Sequence, residues 1–213
     1  MTITAAPATT TTTDATTATT AAASDTARFV RRTGVALAAG AAIWAGAMAA
    51  YSPQTTDPVG ITVVDLGALP FQGALFALVT AQLRTAATGT SRFARGMLRL
   101  EYVLLALATL WTVLHGAFWS LRGEPWLAVL DAFWPLSMLG MFAIGVKIAF
   151  AKRWTGPLRG WPLVAESWAV VSVPALVIFG VGVGQAVGSL HALIGYGGLG
   201  LLLALRPHLT GAR

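Results

Sequence analysis

The 213-residue sequence contains no cysteine, which excludes disulfides, thiolate metal sites, Fe–S clusters and thiol nucleophiles. Charge is scarce too: 10% of the residues are Asp, Glu, Lys or Arg, against roughly 25% in an ordinary soluble domain. So few charges cannot solvate the surface of a chain that is 56% hydrophobic, and a soluble enzyme is excluded. The mean hydropathy of +0.71 makes the bilayer the relevant solvent.

Large apolar side chains are nearly missing from residues 1–27, which hold 12 Thr and 9 Ala. Such a segment buries too little surface to offset its ordering entropy, so a disordered cytoplasmic tail is expected over 1–27, ahead of a transmembrane domain over 28–213. The Arg31-Arg32 pair before an Ala-rich stretch faintly resembles a twin-arginine export signal, but the hydrophobic spans that follow require membrane insertion.

From Thr33 onward, apolar runs of about 20 residues recur, the length a helix needs to cross a hydrocarbon core of about 30 Å. Six spans are predicted, over Thr33–Tyr51, Ile61–Leu83, Leu100–Ser120, Trp126–Phe150, Pro162–Val181 and Val187–Leu205. They are too long and too uniformly apolar for barrel strands, so the predicted fold is an all-α, polytopic integral membrane bundle of six transmembrane helices.

Basic residues set the expected orientation, because Lys and Arg gather in short cytoplasmic loops. With six spans, 13 of the 14 basic residues fall on one side and only Arg122 on the other. Both termini are therefore expected in the cytoplasm of a multi-pass protein of the cytoplasmic membrane. The 12 Arg against 2 Lys, with abundant Ala, fit a GC-rich bacterial genome. The net charge of +6 is absorbed by this asymmetry and by anionic lipid headgroups, so the bilayer rather than nucleic acid is the expected partner, alongside a membrane-protein partner or a second copy. The eight tryptophans lie mostly near span ends and read as an interfacial belt, and the glycines from Gly180 to Gly188 as a tight external turn.

Ionisable groups inside spans are expensive and are functional candidates by default. On the inner side Glu101, Lys147 and Glu166 reach similar depth and suggest a structural ion network. On the outer side Asp65, His115, Asp131 and His191 come from four different spans to about 6–8 Å inside the boundary. Depth is legible there, but helix order is not. The four residues suit a divalent metal set, and His115 with His191 suits the axial ligation of a b-type haem. They equally suit proton handling, or polar contacts with no ligand. The expected function is that of an integral membrane protein with an outward-facing polar His/Asp site, of structural, sensing or transport type. The alternative is a haem-binding membrane redox protein.

Overall fold

The computed structural model describes residues 12–52 and 54–212, with side chains from Ala23 onward. Its elements are α1 (Thr12–Ala50), α2 (Pro58–Arg84), α3 (Arg92–Ala117), α4 (Pro125–Asp131), α5 (Phe133–Ala151), α6 (Trp161–Glu166), α7 (Trp168–Phe179), α8 (Val181–His191) and α9 (Gly198–Leu205). A π-helical segment, Ala192–Gly197, joins the last two. Six helical stretches are long and apolar enough to cross a membrane, with α4–α5, α6–α7 and α8–α9 each forming one, and no strand occurs among the described residues. The protein is an all-α six-helix bundle.

Several helix starts are written in the sequence. The Asp57 side chain accepts a hydrogen bond from the Gly60 N–H at 2.7 Å, with Pro58 at the first helical position where its missing N–H costs nothing. Ser91 likewise caps α3 by accepting from Ala94 N–H at 3.1 Å. Helices α1 and α3 begin before the predicted spans, because a helix continues through charged residues after it has left the apolar layer. Of the expected disordered tail, residues 1–11 lie outside the described residues, and the backbone from Thr12 onward belongs to α1. The external turn is shorter than predicted: Gly180, at φ 85°, alone makes the reversal, and Gly182, Gly184 and Gly188 are inside α8.

Half of the apolar window of α1 is buried, as is half of that in the last span, against about a third or less in the other four. The Ala/Gly-rich α1 therefore sits at the centre, packed against α2, α8 and α9. Small residues allow this: a Cβ on Gly200 would lie 2.6 Å from the Ala38 nitrogen and 2.6 Å from the Gly34 carbonyl oxygen. Helix α3 packs against α2, α4 and α5, whereas α8 packs against α1 and α7. Apolar side chains such as Val177, Ile178 and Phe179 face outward, as a lipid-solvated surface requires.

Three spans are interrupted. Span four breaks at Ala132, where Pro135 brings no N–H to the Asp131 carbonyl. Span five breaks at Ser167, and span six relaxes into the π segment. In each, the residue closing the first half is ionisable: Asp131, Glu166 and His191.

Candidate functional site

The site begins at a close approach of α2 and α3. Gly116 makes that approach possible, since a Cβ there would lie 2.8 Å from the Asp65 Cβ. With the helices this close, Asp65 Oδ2 and His115 Nδ1 meet at 2.6 Å, both side chains being largely buried. The Trp111 ring, one turn earlier on α3, stacks on the imidazole at 4.6 Å and fixes its plane.

Arg122 locks the same end of α3. Its guanidinium donates to the carbonyl oxygens of His115 (2.8 Å) and Gly116 (3.2 Å) and to Thr62 Oγ1 (2.9 Å), and lies over the Trp119 ring. Thr62 in turn donates to the Gly116 carbonyl at 3.1 Å. One cation thus satisfies carbonyls that the helix end leaves open and complements the negative end of its dipole.

Beside this pair lies a cavity of about 190 Å³. Its wall holds Asp65, the exposed Asp131 and four indoles, those of Trp44, Trp111, Trp134 and Trp168, with Thr112, Val64 and Ala68 between them. Trp44 stacks near Trp134 (ring centroids 5.9 Å) and Trp168 (5.1 Å). Two of the indole N–H groups are already used: Trp134 donates to Thr112 Oγ1 at 2.9 Å and Trp168 to the Gly188 carbonyl at 2.8 Å. Gln72 also donates to Thr112 Oγ1 at 2.8 Å, so a polar seam backs the cavity. The interfacial-belt reading of the tryptophans requires exposed side chains, as Trp119 and Trp126 have. It fails for Trp44, Trp134 and Trp168, which pack together, and for Trp154, which is fully buried and donates to Thr85 Oγ1 at 2.9 Å.

His191 is not part of this set. It faces Ser167 Oγ, 3.2 Å from its Nε2, at the break between α6 and α7. Because Ser167 Oγ already donates to the Val164 carbonyl, the imidazole Nε2–H donates to it, and Nδ1 is buried without a partner. Equal depth on different helices therefore does not bring His115 and His191 to one point: α3 and α8 belong to different packing neighbourhoods. No group of three or more His, Cys, Asp or Glu suited to a metal occurs among the described residues, so the four-ligand set is not assembled there. The two histidines considered for haem have different neighbours, Asp65 and Trp111 for His115 and Ser167 for His191.

The inner network also resolves differently. Glu101 accepts from Ser137 Oγ at 2.5 Å and Glu166 from Gln82 Nε2 at 3.2 Å, both carboxylates being 1% exposed. Lys147 makes no ion pair among the described residues. The reason is helical phase. Gly140 and Gly145 of α5 are the positions lying against the Glu101 and Glu166 carboxylates. Lys147 is turned about 200° from Gly145 and lies about 10 Å along the axis from Gly140. Glu101 Oε2, Glu166 Oε2, Gln82 Oε1 and the Tyr196 hydroxyl remain buried without hydrogen-bond partners.

Arg122 and the convergence of the indoles were missed from sequence. The signal for Arg122 was available, since it is the one basic residue out of place in the charge pattern. Against known protein families, curated proteins and solved structures, the chain gives no match.

Proposed function

We propose that this is a multi-pass protein of the bacterial cytoplasmic membrane, with both termini in the cytoplasm, that binds a small ligand at an outward-facing site of transport type built on Asp65, His115 and Asp131. The observation that carries the reading is the 2.6 Å Asp65–His115 contact on the edge of an aromatic cavity whose other carboxylate, Asp131, closes a broken helix. Interrupted spans that bring ionisable groups and open backbone ends into the bundle are the construction used by transporters. The orientation rests on the 13 basic residues that six spans put on one side.

Reporter fusions test the orientation. Fusions after Thr56, after Gly123 and at Gly184 are expected to report the outside, and those near Thr90, Thr155 and Arg213 the cytoplasm. A C-terminus outside the cell would refute the six-span orientation and with it the outward-facing site. Asp65→Asn and His115→Ala are expected to insert with unchanged topology while losing ligand binding, because both act at the cavity edge and neither belongs to a cytoplasmic charge cluster.

A further inference from the structure

We infer that the ligand of this site is a small organic ammonium ion, held by the indoles of Trp111 and Trp134 and by the carboxylates of Asp65 and Asp131, while Trp44, buried and stacked on Phe71 and Trp134, backs the wall. The inference rests on the outward-facing site proposed above and specifies its chemistry.

Charge comes first. The cavity wall carries two carboxyl groups, and neither His115 nor Arg122 is among its lining residues. His115 engages Asp65 through Oδ2, leaving Oδ1 without a hydrogen bond among the described residues, and Asp131 has neither an ion pair nor a side-chain hydrogen bond there. Pro135 has no N–H to give the Asp131 carbonyl, so that oxygen lacks its helical donor and adds partial negative charge at the end of α4. Two carboxyl groups on the wall favour a cation over an anion or a neutral ligand.

The walls then decide which cation. A hard metal ion needs about six oxygen ligands to replace its water, and two carboxylates among indoles do not supply them. A quaternary or tertiary ammonium is weakly hydrated, carries its charge on apolar groups and is drawn to the negative face of an indole. Size agrees: about 190 Å³ is below the roughly 300–1,000 Å³ of sites for drug-sized ligands, which leaves room for a compact ammonium.

The test uses the purified full chain in nanodiscs and follows intrinsic tryptophan fluorescence during titration with choline and with its neutral isostere 3,3-dimethylbutan-1-ol. A saturable change is expected for choline, with affinity at least roughly tenfold above that for the isostere. D131N is expected to weaken choline by a similar factor without altering the unfolding temperature, since Asp131 is exposed and unpaired. Free ammonium and lipid headgroup are separated by the disc: a response in phosphatidylglycerol discs that disappears in phosphatidylcholine discs identifies the headgroup as the source, and a response in both identifies a solute. Equal binding of choline and the isostere, or choline binding indifferent to D131N, would overturn the ammonium assignment and leave the cavity as a ligand site. If neither compound binds, the ammonium assignment fails. The site itself then fails only if a cysteine at position 131 also cannot be labelled from outside.

Discussion

Replacing Gly116 by alanine is a small change with a large expected consequence, because the added methyl points at the backbone-anchored part of Asp65 and not at a flexible chain end. The new Cβ would lie 2.8 Å from the Asp65 Cβ and 2.9 Å from Leu66 Cδ2. Ordinary carbon contacts are about 3.5–4.0 Å, so α2 must move away from α3 by nearly 1 Å. That shift takes the 2.6 Å Asp65–His115 contact to the limit of a hydrogen bond. Overpacking costs about 1–3 kcal/mol, and weakening a charge-assisted hydrogen bond adds about 1–2 kcal/mol, for a total of about 2–5 kcal/mol. Gly73 in α2 is the control, because a Cβ there meets nothing within 4 Å. Gly73→Ala should be neutral or stabilising by up to about 1 kcal/mol. Equilibrium unfolding in mixed micelles measures both variants. Gly116→Ala proving as stable as Gly73→Ala would refute the close approach of α2 and α3, and with it the geometry of the pair.

Arg122→Met removes two hydrogen bonds to the end of α3 and one to Thr62 of α2 and should cost about 2–3 kcal/mol in the same unfolding assay, with Arg122→Lys recovering less than half because an ammonium cannot reproduce the guanidinium fork. Lys147→Met should change stability by no more than about 0.5 kcal/mol, since no carboxylate pairs with it, and a loss of several kcal/mol would restore the ion network. Trp168→Phe should cost about 1 kcal/mol through its bond to the Gly188 carbonyl, and an unchanged unfolding midpoint would remove that bond from the packing of α7 on α8.

The bundle was legible in the sequence because hydrophobic length is set by the bilayer, and six runs of that length have no other solution. Asp65, His115 and Asp131 were found as candidates because ionisable residues inside apolar runs stand out in the sequence. Azimuth was not legible. Whether His191 turns toward His115 depends on which helices are neighbours, and the central position of α1, filled through Gly34 and Gly200, separates regions that chain order does not. The Lys147 expectation failed at a level the sequence does contain: counting 100° per residue from Gly145 already turns the ammonium away from Glu166, but only once the facing residue is known. The break in span four, predicted as continuous over Trp126–Phe150, was missed, and that it leaves Asp131 at the cavity wall depends on how α4 and α5 pack against α3.

The account's central claim is that the Asp65–His115–Asp131 site opens to the outside, and the absence of native cysteine makes it directly measurable. Asp131→Cys supplies the only thiol in the chain, at an exposed position on the cavity wall. In intact cells a membrane-impermeant maleimide should label this thiol. Labelling confined to inverted vesicles, with none in intact cells, would contradict the claim.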